Sequence, residues 1–179
     1  MTMIEIERFL LMERDLNRRT CQPLLKLCAE LAEVDRITVF QYYPNESVSQ
    51  ALSVIAEWCA EGMEMQTQWQ NLNLQIEQYQ TVLERARQIL NTGEILMCHV
   101  KELTIAEQML SSSGGVQALL LIPISVKNRF YGIAALQRVR SSALWDEEIQ
   151  NFLKSIAVAV SIALERKYAE QDLVEAKEQ

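Results

Sequence analysis

The stretch GVQALLLIPISVKNRFYGIAALQRVRSSALWDEEIQNFLKSIAVAVSIALER, Gly115–Arg166, decides how the chain is read. Ala118–Val126 (ALLLIPISV) is nearly continuous apolar, which predicts a strand inside a sheet covered on both faces. Lys127-Asn128-Arg129 is a tight connection, and Phe130–Gln137 (FYGIAALQ) is the returning strand. Pro123 brings no N–H to the ladder and Gly132 no side chain, and within strands such residues mark bulges or close approaches. Asp146 is placed to cap a long helix, with Glu147 and Glu148 putting negative charge on its positive end. Along it Ile149, Phe152, Leu153, Ile156, Val160 and Leu164 form a wide apolar stripe, read as core or dimer interface.

Upstream, Arg36–Tyr43 (RITVFQYY) and Leu52–Trp58 (LSVIAEW) read as an antiparallel hairpin separated by the Pro44-Asn45 turn signal. Ile95–Val100 (ILMCHV) is a third strand. Glu61–Gln75 reads as a long polar loop, in which Met63 and Met65 are a soft pocket lid or gap filler. Ile76–Leu90 returns to helical spacing and ends at Asn91-Thr92-Gly93, while Glu102–Ser113 is a short helix or irregular. Residues 3–33 read as helix, broken or restarted at Pro23, and the charged first segment is expected to project from the body. Eight of the sixteen residues 164–179 are charged, so this tail reads as a solvated helix leaving toward a partner helix or a next domain.

Composition bounds the function. The chain has 179 residues, roughly one domain, with 49% apolar residues to build a core. Its net charge of −7 leaves no basic face for nucleic acid. No apolar run approaches the roughly 20 residues that span a bilayer. The start MTMIEIERF carries acids where a secretory signal carries Lys or Arg, so a cytoplasmic chain without membrane insertion is expected. Cys21, Cys28, Cys59 and Cys98 are scattered and His99 is the single histidine, so zinc-site spacing is absent, no metal is expected, and the thiols read as reduced.

The order helix, strand, strand, helix, strand, helix, strand, strand, long helix resembles that of a GAF domain. The resemblance covers about residues 20–166 and is carried by Val116, Ala118, Leu120, Pro123, Tyr131-Gly132, Ala135 and Trp145. SVIAEWCAEGM is similar to a segment of bacterial sensor GAF domains, and ERKYAEQDLVEAKEQ resembles the linker helices that follow such domains. The resemblance, of cyanobacterial and phytochrome-related type, implies an α+β fold, an α/β/α sandwich. Its antiparallel sheet would have five or six strands in the order 2-1-5-4-3, with the N- and C-terminal helices on one face and a small-molecule pocket on the other. The implied organisation is an N-terminal helical extension over 1–20, the GAF domain over 20–166, and an exit helix over 167–179 toward a downstream output domain. That output would be a histidine kinase or a diguanylate cyclase, and the terminal helices would pair with those of a second copy.

Three chemistries are known within the family this chain resembles. Cys98-His99 is the dipeptide type that carries a thioether-linked bilin in phytochrome-type domains. The register argues against it here: counting back from Pro123, the attachment site falls near Ala106-Glu107. Cyclic-nucleotide binding is disfavoured because Gln137-Arg138 stands where that signature has Asn-Lys. Methionine sulfoxide reduction needs a cysteine where this chain has Ser111–Gly115, and no nucleophile–base pair is evident, so no catalytic residue and no enzyme are expected. The cofactor is left unknown. Trp58, Cys98 and His99 are the pocket-adjacent candidates, each with packing as the plain alternative. The functional readings are a sensory or regulatory module, a ligand-free dimerisation module whose pocket has filled with side chains, and a noncovalent tetrapyrrole photosensor.

Overall fold

Alternating β-branched, aromatic and aliphatic residues build the sheet. In the computed structural model, which describes residues 2–13, 16–42, 52–63, 88–89, 91–103 and 115–179, five strands form it. They are β1 (Arg36–Tyr42), β2 (Leu52–Cys59), β3 (Leu96–His99), β4 (Ala118–Val126) and β5 (Arg129–Arg138). All neighbours are antiparallel and the order is β2-β1-β5-β4-β3, as the resemblance implied. β5 is central, and apolar β4 lies between it and β3.

Both irregular residues of the deciding stretch have a structural account. Lys127 and Asn128 take φ of 52° and 59°, the double left-handed geometry of the tightest hairpin connections. The β4–β5 register shifts between Ile124 and Ser125, just beyond Pro123. At Gly132 the backbone of β1 comes so close that a Cβ would collide with the carbonyl oxygen of Phe40. A second register shift, between Val39 and Phe40, lies beside that contact.

Among the described residues three helices cover one face: α1 (Met3–Met12), α2 (Gln22–Ala32) and α3 (Glu147–Glu178). The break expected at Pro23 in the helical stretch 3–33 is present but falls earlier, between Met12 and Gln22. Thr2 and Glu5 form a reciprocal cap at the start of α1. The chain then leaves helical geometry, and the Asn17 side-chain oxygen accepts the N–H groups of Arg19 and Thr20. α2 restarts at Gln22, with Pro23 in its first turn, where no donor is lost. Nor does the N-terminal segment project: Ile6 and Leu10 are 0% and 2% exposed, and α1 packs along α3. Its charges occupy the outer face of an amphipathic helix.

Asp146 caps α3 by accepting the Ile149 N–H at 2.9 Å. At 1.5 Å per residue, its 32 residues make a rod of about 48 Å. Leu153, Ile156 and Leu164 are buried in the chain's own core, with Ile149 and Val160 half-buried against it. The stripe read as core or dimer interface is therefore largely core. Among the described residues no helix is long and apolar enough to cross a membrane.

Candidate functional site

Strand alternation sorts the side chains onto two faces. Ile37, Ala56, Leu120, Ile122 and Leu136 point into the helix-side core. Phe40, Cys98, Val100, Val116, Leu119 and Ala135 form a smaller apolar cluster on the other side. Next to it, that second face carries a polar group. Arg36 lies opposite Gln137 on β5 and Cys59 on β2, and Thr38 lies opposite Ala135 and Glu57. Arg36 and Glu57 are each 3% exposed and Gln137 1%, burial that charged residues reach only in company. The Arg36 Nε–H donates to Gln137 Oε1 at 2.5 Å, and the Cys59 thiol lies 3.8 Å from Glu57 Oε1.

The electrostatics follow from this crowding. Burial lowers the Arg36 pKa, and the negative charge available at Cys59 and Glu57 pulls it back up. Burial, then the Glu57 carboxylate, push the Cys59 thiol up to about 11, so it stays protonated at neutral pH. Among the described residues the face is thus part apolar and part hydrogen-bonding, with one guanidinium and one carboxyl group buried side by side.

The structure separates the three candidate residues. Cys98 is buried in the apolar cluster of this second face. His99 pairs with Ala118 and, one residue along β3, turns to the helix side with Met97. Trp58 lies opposite Ile37 and packs half-buried against the helix-side core. Trp58 and His99 therefore do not join Cys98 on the second face. Arg138 also faces the helices, so of the Gln137-Arg138 pair only Gln137 reaches the second face. Met63 is half-buried, whereas Met65, the helix expected over 76–90 apart from residues 88–89, the expected attachment register at Ala106-Glu107 and most of 102–113 lie outside the described residues. Among the described residues no group of three His, Cys, Asp or Glu is placed to hold a metal.

Arg36, Glu57 and Gln137 were missed in the sequence. Their signal was there: a lone charge or amide inside RITVF, VIAEW and IAALQ is costly to bury without a purpose.

The exit helix is held at a defined place. Glu165 accepts the backbone N–H of Lys127 in the β4–β5 turn at 2.6 Å. The Tyr131 ring of β5 meets that of Tyr168 at 6.5 Å, and the Lys127 ammonium lies 3.8 Å from Asp172. α3 is thereby tied to the sheet to about Asp172, beyond the apolar stripe.

Comparison with known proteins agrees with this architecture. The family model for the GAF domain matches residues 17–164. The chain is 25% identical over 154 residues to the methanogenesis regulatory histidine kinase FilI of Methanothrix harundinacea, a match that covers 86% of this chain but 17% of that protein. The blue-light absorbing form of the Thermosynechococcus elongatus PixJ GAF domain superposes with a TM-score of 0.72 at 17% identity, over 97% of this chain and 92% of that one. A phycocyanobilin-bound GAF domain from a cyanobacterial phytochrome gives 0.72 at 15% identity, over 95% and 97%. At those identities the structural likeness carries the fold alone.

Proposed function

Because the chain belongs to the GAF domain family, we propose that it is the sensory module of a longer signal-transduction protein. A small molecule binds on the face of the sheet opposite α1, α2 and α3, and its binding is read out through α3. The module senses rather than catalyses. The observation that carries this reading is the buried Arg36, Glu57 and Gln137 group beside the apolar Phe40–Cys98 cluster, on the face opposite the exit helix. A structural module has no need to bury a guanidinium and a carboxyl group in its sheet, because apolar residues of like volume are commonly as stable or more so. The ligand this face suits has a polar end for Arg36 and Glu57 and an apolar body for Phe40, Cys98 and Leu119.

The output is a histidine kinase region further along the parent protein, by analogy with FilI, of which the match spans only 17%. Two copies pair through outward-facing residues of α1 and α3. The fold of bilin-bound relatives and the place of Cys98 favour one second reading, a tetrapyrrole held without a covalent bond.

Native mass spectrometry of the chain isolated from its own cells, beside a denatured control, tests the proposal. A discrete added mass that denaturation removes is the expected result, and visible absorbance of that species would make the ligand a tetrapyrrole. A chain without added mass, whose stability no metabolite fraction changes, would leave the ligand-free dimerisation module instead.

A further inference from the structure

Behind the sheet, away from the polar face, the described residues line a partly open apolar pocket of about 120 Å³. It lies between the strands and the helices α2 and α3. Leu24, Ile37, Ile122, Leu136, Ile156 and Val160 are among its walls. The hollow has a local cause: Ala56 on β2, Ala134 on β5, Ala157 on α3 and Cys28 on α2 all face it, each too short to fill the gap. Asn17 and Tyr131 are the polar side chains at its margin, beside the thiol of Cys21. Burial pushes the Cys28 thiol up to about 12, so the wall carries no charge there.

Protein interiors are close-packed, and voids of this size are uncommon. Water gains little in an apolar chamber: an engineered cavity of about 150 Å³ lined by aliphatic and aromatic side chains stays dry and binds benzene or xenon. An empty chamber deprives its walls of dispersion contacts that an apolar guest restores.

We propose that this cavity is a second binding site, for a small apolar molecule of about one aromatic ring or a short alkyl chain, and that its occupant bears directly on α3. The site is independent of the polar face: Ile37 and Val39 line it, whereas Arg36 and Thr38 point the other way. Contact with α3 is direct through Leu153, Ile156, Ala157, Val160 and Leu164. Tyr131, at the margin, also holds Tyr168 of the exit helix. Only the signalling consequence rests on reading α3 as the output element; binding does not.

Benzene is the probe, added to the full 179-residue chain. Calorimetry and thermal melting are expected to show saturable binding that raises the melting temperature. Ala157→Leu, which grows a side chain into the hollow, is expected to weaken binding by about tenfold or more while melting cooperatively. Should that variant fail to fold, Ala134→Val makes the same comparison with a residue suited to a strand. Absence of saturable benzene binding by the parent chain up to the solubility limit overturns the site. So does a folded filling variant that binds benzene as tightly as the parent. Hydrogen exchange over 158–172 is expected to change when benzene saturates the chain, and unchanged exchange would overturn the contact with α3. Loss of the polar-face ligand would leave benzene binding intact, so the two readings fail separately.

Discussion

Arg138 shows how much one side chain can organise. Its guanidinium donates to the carbonyls of Ala32 and Glu33 at 2.8 and 3.1 Å and to that of Ala143 at 2.7 Å. The same group lies 4.5 Å from the ring of Trp145, whose indole N–H donates to Ala32 at 2.8 Å. One fork thus joins the end of α2, the end of β5 and the approach to α3, and its charge meets the negative end of the α2 dipole. Lysine lacks the planar fork. Arg138→Lys should lower the unfolding free energy by about 2 kcal/mol and Arg138→Ala by about 3, from buried carbonyls left unmet, as read from urea denaturation. The sequence marked Gln137-Arg138 as a departure from the cyclic-nucleotide signature, but only the strand register revealed that its two members face opposite ways. Cys28 makes a prediction of a different kind. Its folded pKa is raised from an ordinary 9.0 to about 12 by burial, so its contribution is complete below pH 9. Between about pH 9 and 12 the unfolded chain releases a proton that the folded chain retains, and stability falls by up to about 4 kcal/mol. The urea midpoint should therefore drop from pH 8 to pH 11, and drop less in Cys28→Ala.

At the scale of elements, β5 decides whether the sheet closes. It pairs with β1 on one side and β4 on the other, and Gly132 sits where the carbonyl of Phe40 leaves no room for a Cβ. The obstacle is backbone, so no flexible side chain can yield. Gly132→Ala should force β1 and β5 apart and cost about 3 kcal/mol or more, seen as a lower midpoint or loss of a cooperative melt. The close approach was legible in FYGIAAL, because a glycine inside an apolar strand asks for one. Strand positions were legible from apolar, β-branched and aromatic runs bounded by turn signals, and the sheet order came from the family resemblance. Helix boundaries were harder to read: an apolar stripe runs across residues 3–33, and the Asn17 turn that interrupts it is a local hydrogen-bond choice. The candidate site was half legible. Alternation places Cys98 and His99 on opposite faces, but both faces of this sheet bury side chains, so periodicity could not say which way Trp58 pointed. Arg36 and Gln137 are 101 residues apart and meet only through β1–β5 pairing.

At the scale of the molecule, the question is which surface a second copy meets. Leu153, Ile156 and Leu164 are spent on the chain's own core, so the apolar stripe cannot serve as most of an interface without unfolding the domain. One turn around α3, Val158 and Ile162 are 60% and 62% exposed, and on neighbouring α1 Ile4 and Leu11 are exposed as well. Val158 and Ile162 stand four residues apart, so they form one ridge. A two-fold axis along that ridge would set α3 beside its copy and send both exit helices the same way, the arrangement a paired output domain needs. The proposed dimer thus predicts that Val158→Glu with Ile162→Glu gives a monomer by light scattering at about 100 μM, while the melting temperature changes by only a few degrees, because solvent-facing substitutions cost little. Leu153→Glu should instead abolish cooperative melting, since it buries a carboxylate in the helix-side core. If the double variant remains dimeric, the copies meet elsewhere, and the exposed ridge would have to face another segment of the parent protein.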